Sequence, residues 1–388
     1  MADYHGGVPD LPAHFDHGLC FPGGLDDSLL PHIPARRGLM LLLTREGKPV
    51  VLLPAADMRS RLGARMRGAD DEPAATKMPD LSKVTAQVLW TLTAGDFETD
   101  LRFLDIAAAL WPQDYQSMLA WKSAWFVHVD LDERFPLFQR SRSVFQRRGR
   151  YFGPFPTGKS ADAYINLLVE IFDLCRESAC GRAAPNGRPC PYAQMGKCLS
   201  VCDGTVSLED YARHVAAAVH VAEGHTHAIR DQLQSRMRAA AEQLMFEAAA
   251  SFKAKLQKLD DLAAPALADV RAAEQFAFII LQRGRGRRQI KTFLACRGSV
   301  AAGPAVAYPP KEDALQSLLQ AMAAHAAAPP AAWDEVQSCR LALTAQHLYG
   351  PAHRRALLVR WTPDLNPAAL AAAIESAAEP LHLKTPPQ

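Results

Sequence analysis

Apolar and polar positions fall into blocks along this chain, and each block carries one clear period. Residues 38–54, GLMLLLTREGKPVVLLP, hold two apolar runs around a polar turn at 44–48, which predicts a strand hairpin. A short basic helix carrying Arg59, Arg61 and Arg65 is expected over 55–66, and a third strand over 85–93. Leu101, Leu104 and Leu110 give residues 97–110 the spacing of an amphipathic helix that stops near Pro112. A strand at 125–129 then leads into an arginine-rich stretch, 140–150.

The second half reads mostly as helix, then as mixed α/β. Ala163, Ile165, Leu167, Leu168, Ile171 and Phe172 give residues 160–175 an apolar helical surface. Residues 208–262 read as helix throughout except for a turn at Gly224. Within them Ile229, Leu233, Met237, Ala241, Leu244, Ala248, Phe252, Leu256 and Leu259 recur every three or four positions, the stripe of a helical hairpin or coiled coil. After Pro265, strands at 276–281 and 289–296 flank the basic turn RGRGRR. Helices at 311–326 and 333–348, a strand at 356–361 and a helix at 367–378 complete the pattern.

Composition changes this picture little. A length of 388 residues suggests two to four compact units. The formal net charge is +2, so contact with nucleic acid has to come from local patches. No apolar run is long enough for an ordinary transmembrane helix, and a cytoplasmic protein without membrane contact is expected. Residues 1–35, rich in Gly, Pro, His and Asp, read as a mobile arm. Its histidines, His5, His14, His17 and His32, lack close ligand spacing.

The chemistry concentrates at 175–202, CRESACGRAAPNGRPCPYAQMGKCLSVC, which holds five of the eight cysteines. Cys190, Cys198 and Cys202 follow a C-x7-C-x3-C spacing, with Cys175 and Cys180 just upstream. Thiolates are soft anionic ligands, and three or four converging on a point bind zinc or an iron–sulfur cluster. The alternatives are reduced structural cysteines or disulfides; no secretory signal opens the chain, which argues against disulfides.

Residues 153–160, GPFPTGKS, match the phosphate-loop pattern. Three features oppose nucleotide binding: QRRGRYF is not expected to form a buried strand, Pro154 and Pro156 remove two backbone donors, and no acidic magnesium partner follows. Arg140, Arg142, Arg147, Arg148 and Arg150 lie among Phe138, Phe145, Tyr151 and Phe152. They read either as a nucleic-acid surface with stacking aromatics, or as a solvated strand pair whose aromatics point inward.

RYFGPFPTGKSADAYINLLVEIFDLC, RPCPYAQMGKC and LSVC together resemble the middle of the UvrC excinucleases and their shorter relatives. These are the nucleases of bacterial nucleotide excision repair. Tyr151-Phe152-Gly153-Pro154 is that family's Y-F-G-P signature, and the cysteine motif implies an iron–sulfur cluster on Cys175, Cys190, Cys198 and Cys202, with Cys180 as the alternative to Cys175. AAEQLMFEAAASFKAKL is similar to the UVR helical hairpin through which the family contacts UvrB, the excinuclease helicase; Leu244, Met245, Phe246 and Glu247 fall on its partner-binding stretch. Residues 38–62 resemble the start of a GIY-YIG nuclease domain.

The resemblance also implies what has been lost. The two tyrosine positions hold Met40 and Val51, and the glycine and lysine positions hold Leu53 and Pro54. Arg61 falls on the family's helix arginine and Asp105 on its metal-binding glutamate; magnesium or manganese enters only if the nuclease is active. The second nuclease domain of longer members, RNase H-like, is not expected within 388 residues.

The expected fold is therefore multidomain α+β. It comprises a degenerate GIY-YIG domain over 36–150, a cysteine-bound metal module over 151–205, a UVR-like hairpin over 206–265 and a small α/β domain over 270–380. The expected function is a repair-associated factor that binds DNA, through Arg59, Arg61 and the arginines of 140–150, and a UvrB-like helicase. A divergent single-cut endonuclease and a structural scaffold are the alternatives.

Overall fold

The computed structural model describes residues 14–21, 27–67, 81–144, 146–329, 333–350, 356–381 and 383. Phe145 and His5 lie outside them. The chain divides into two compact units, one built from 1–122 together with 277–388, the other from 123–276.

The first unit begins with an antiparallel sheet. β1 (His17–Cys20), β2 (Gly38–Leu43), β3 (Pro49–Ala55) and β4 (Gln87–Leu92) pair in the order β1-β4-β2-β3. β2 is central and wholly buried, as its unbroken apolar run requires. β1 corrects the expectation of a mobile arm: Phe15, Phe21 and Ile33 are buried anchors within an otherwise Gly- and Pro-rich stretch. α1 (Met58–Arg67) packs Met58 and Leu62 onto the core with Met40, Leu42, Leu53 and Trp90. α2 (Asp96–Leu110) buries Phe97, Leu101, Leu104 and Ile106.

The second unit opens with β5 (Trp125–Val129), β6 (Gln139–Ser141) and β7 (Arg150–Phe155), joined later by β8 (Arg271–Ala272) in the order β6-β5-β7-β8. The strand at 125–129, expected at the end of the first α/β domain, pairs here with β7 instead. α3 (Gly158–Phe172) starts from Thr157, whose side chain and that of Ser160 form a reciprocal capping box. α4 (Leu208–Ala222), α5 (His227–Glu242) and α6 (Phe246–Asp261) follow the cysteine loop. One core joins the sheet to α3 and α4 through Phe152, Phe155, Leu168, Phe172, Tyr211, Val215 and Val219.

Residues 277–388 return to the first unit. β9 (Ala277–Arg283), β10 (Gln289–Cys296), β11 (Ser299–Ala302) and β13 (Leu357–Arg360) pair in the order β11-β10-β9-β13, and β12 (Val306–Ala307) also pairs with β10. α7 (Glu312–Ala327) and α9 (Pro367–Ser376) cover one face with Leu315, Leu318, Met322, Leu370 and Ile374. On the other side α8 (Glu335–Tyr349) packs along α2, where Phe97 meets the rings of Phe293 and His347, each at 5.2 Å. Buried Glu98 of α2 accepts from Lys291 Nζ at 2.6 Å and from the Ala94 amide at 2.8 Å. A carboxylate at 1% exposure is tolerable only with such partners. No helix among the described residues is long and apolar enough to cross a membrane.

Candidate functional site

The cysteine loop leaves α3 at Asp173, which takes a left-handed conformation (φ 52°) and turns the chain sharply. Leu199 donates back to the Asp173 carbonyl at 2.9 Å and Gly187 to Cys202 at 2.8 Å, so two backbone bonds close the loop on itself. At Gly181 an added Cβ would stand 1.8 Å from the Phe135 ring, so only glycine fits there. Cys175 enters the main core and Cys202 is also buried, whereas Cys180, Cys190 and Cys198 are half-buried. The loop is thus partly ordered by apolar burial, which its sequence did not promise.

All five thiols are free and grouped. Cys180 lies within hydrogen-bonding reach of both Cys175 and Cys190. Burial pushes the Cys180 thiol up to about 12, with the charges of Cys175 and Cys190 adding to it. Burial also raises Cys175 and Cys198. Cys190 is lowered, chiefly by the backbone of Ala193 and then of Tyr192, because it sits at the N-terminus of the single-turn helix Pro191–Gln194. A group of thiols that raise one another's pKa is a donor set in need of a cation, and four of them suit zinc or an iron–sulfur cluster. Among the described residues no three of these sulfurs lie within 4.8 Å of one another. A tetrahedral zinc site, with Zn–S near 2.3 Å, needs its sulfurs about 3.8 Å apart.

α5 and α6 form an antiparallel pair whose base is buried and whose tip is not. Leu233, Ala240 and Leu259 are buried, and Ile229 and Leu262 pack against the main core. Ion pairs from Lys255 to Asp173 and from Lys258 to Glu170 (3.3 Å) fix α6 beside α3, and one from Arg230 to Asp260 (2.7 Å) joins α5 to α6. At the tip Leu244, Met245 and Phe246 are 72%, 54% and 67% exposed. Leu244 is held left-handed (φ 59°), a conformation that favours glycine, and Met245 donates to the Ala240 carbonyl at 2.8 Å. Glu247, also exposed, stands in the first turn of α6, where a carboxylate suits the helix dipole.

The arginine stretch divides. Phe138, Tyr151 and Phe152 point into the core, so the inward reading of these aromatics holds. The Arg140 and Arg142 guanidinium groups instead sit on Trp125, 5.2 and 4.3 Å from its ring. Arg140 also pairs with Asp162 at 2.6 Å and Arg150 with Glu223 at 3.5 Å, while Arg142, Arg147 and Arg148 are exposed. The role of Trp125 was missed from the sequence, although its ring precedes the two arginines in the chain.

The phosphate-loop match is settled on different grounds from those expected. Tyr151–Phe155 is a buried strand after all, and it contains Gly153 and Pro154. Only Pro156 and Thr157 separate it from α3, too few to wrap a phosphate.

In the first unit, Met40 and Leu53 face each other across β2 and β3 and are both buried. Pro54 is exposed. Asp105 accepts from Arg340 Nε at 3.1 Å and Nη2 at 2.8 Å. Arg59 donates to the carbonyls of Ile33 (2.9 Å) and Pro31 (3.2 Å), a local structural role. The Nε atoms of Arg61 and Arg65 are buried without a hydrogen-bond partner among the described residues.

Residues 124–221, from the start of β5 to the end of α4, match the family described as UvrC/Cho excinuclease, middle domain. Over that stretch the chain is similar to the UvrC middle domain. Its relatives include the UvrABC system protein C of Pseudomonas aeruginosa PAO1, 32% identical over 219 residues, which is 56% of this chain and 35% of that protein. The proteins of the same name from Moorella thermoacetica and Syntrophus aciditrophicus are each 29% identical, over 60% and 59% of this chain and 37% and 36% of their own lengths. The matched stretch thus spans about a third of these UvrC proteins. No solved structure matches the chain. The UvrC-like character expected from Y-F-G-P and the cysteine spacing stands.

Proposed function

We propose that this UvrC-like chain acts in nucleotide excision repair as a DNA- and partner-binding factor with little or no GIY-YIG nuclease activity. The observation that carries the reading is the hairpin tip. Three adjacent large apolar side chains stand in water there, one of them on a non-glycine residue in left-handed backbone. Such backbone costs of order 1–3 kcal/mol and collects at functional sites. Exposed apolar clusters of this kind mark places where another protein docks. The proposed occupant is a UvrB-like helicase, bound through Leu244, Met245, Phe246 and Glu247.

DNA contact falls to Arg142, Arg147 and Arg148, with Arg140 and Arg150 at its margins, and to Arg61. These are proposed as phosphate contacts, since Phe138, Tyr151 and Phe152 are buried and give no stacking platform. Cys175, Cys190, Cys198 and Cys202, with Cys180 as the alternative to Cys175, are proposed to hold a metal centre that supplies order to the loop. An iron–sulfur cluster is the proposed centre, with zinc as the alternative, since four thiolates suit either. Catalysis by the first unit is disfavoured because the tyrosine positions are apolar residues, Met40 of them fully buried, and Asp105 is engaged by Arg340. A positioned proton-transfer group is typically worth about 10²–10⁴-fold. The test is a bubble duplex incubated with magnesium or manganese: retarded mobility that weakens with salt, without strand cutting, is expected. Cutting that disappears in both Arg61→Ala and Asp105→Ala would establish the endonuclease instead.

A further inference from the structure

The turn between α4 and α5 brings three metal-ligating side chains together outside the cysteine loop. α4 ends in a tight C-terminal motif: Gly224 is left-handed (φ 101°), its amide donates to Val221 at 2.9 Å, and the His225 amide donates to the His220 carbonyl at 3.1 Å. That six-to-one bond fixes His225 over His220, two positions that commonly share an apolar contact in this motif. Here both are histidine. Their rings stack 4.2 Å apart at 21°, and Glu223 lies between them in sequence at the helix cap. One donor atom from each of His220, Glu223 and His225 lies within 4.8 Å of the other two.

We propose that His220, Glu223 and His225 form a binding site for a divalent first-row transition ion, with zinc as the reference ion. Two imidazole nitrogens and one carboxylate are a borderline donor set that suits zinc and its neighbours. Calcium or magnesium would want a shell of oxygens that this turn does not offer. His₂Glu leaves a fourth position for water, in keeping with the exposure of both rings. The backbone bonds already hold the turn, so convergence on an ion requires only the side chains to move, the two stacked rings tilting out of their 21° alignment.

Two consequences follow from the position. α5 begins two residues after His225, so a bound ion fastens the base from which the α5–α6 hairpin projects. Arg150 Nη2 stands 3.5 Å from Glu223 Oε1, while Oε2 faces His220 Nδ1 at 4.0 Å, so the guanidinium charge lies beside the ion's place without taking its oxygen.

The test uses the full chain with its cysteine loop loaded identically in every variant, equilibrated with zinc against a competing chelator. Wild type should hold one zinc equivalent more than His220→Ala or His225→Ala, or bind that equivalent at least ~10-fold more tightly. Both side chains are exposed, so melting in metal-free buffer should be the same for all three proteins. Arg150→Ala should tighten zinc binding by removing the like charge beside the ion. Equal zinc content and affinity in wild type and both histidine variants would overturn the site. Weaker zinc binding in Arg150→Ala would overturn that repulsion.

Discussion

Arg340 donates from both Nε and Nη2 to a single carboxylate oxygen of Asp105. The two residues are 235 positions apart in sequence, and the pair joins α2 to α8 within the first unit. The residue in the metal-ligand position is thus held by a cation of the same chain. Asp105→Asn should therefore cost stability rather than catalysis, by about 1 kcal/mol for a half-exposed pair. Urea unfolding should show similar losses for Asp105→Asn and Arg340→Ala, and little further loss in the double variant. An Asp105→Asn protein of unchanged stability that had lost metal-dependent cutting would restore the catalytic role.

The cysteine loop makes a second prediction. Protein purified without oxygen should carry the visible absorbance of an iron–sulfur centre, and Cys190→Ser or Cys198→Ser should bleach it and lower the melting temperature. Serine at Cys180 and at Cys175 then separates the alternative fourth ligands: the ligand bleaches, the bystander does not. Colourless protein with stoichiometric zinc would replace the cluster but keep the site. Metal-free protein with full native stability would reject both.

Alkaline behaviour follows from two buried phenols. Burial raises the pKa of Tyr164 and Tyr211 in the folded state, and Tyr211 also donates to the Pro136 carbonyl at 3.2 Å. The unfolded chain ionises both near pH 10. Their contribution is therefore whole below about pH 10 and lost as pH rises further, because the unfolded state sheds protons that the folded state retains. Tyr164→Phe should flatten the fall in urea midpoint between about pH 9 and 11. An unchanged alkaline slope in that variant would contradict the assignment.

Much of this fold is legible in the sequence wherever one period dominates. The unbroken apolar run of β2 and the three-to-four spacing of α2, α5 and α6 each mark an element within a few residues of its place. Two of the strands that were missed have a common cause. β1 is four residues of HGLC anchored by Phe15 and Phe21, and β7 begins at an arginine and contains Gly153 and Pro154. Tertiary pairing overrides weak local preference in both. Domain limits were hidden for a related reason. The Arg340–Asp105 and Lys291–Glu98 pairs gather distant segments into one unit, and no local pattern encodes such contacts. At the site, the cysteine spacing and the apolar tip could be read directly. The left-handed Leu244 could not, because leucine gives no sign of that backbone.

The central claim is that the hairpin tip docks a UvrB-like helicase, and Phe246 is the residue on which to test it. Labelled wild-type protein titrated with purified UvrB should bind saturably. Phe246→Ala should weaken that binding at least ~10-fold, as for an apolar anchor at the centre of an interface. Its melting temperature should stay that of wild type, because the side chain is 67% exposed. Wild type that fails to bind UvrB, or Phe246→Ala that binds as tightly as wild type, would contradict the account.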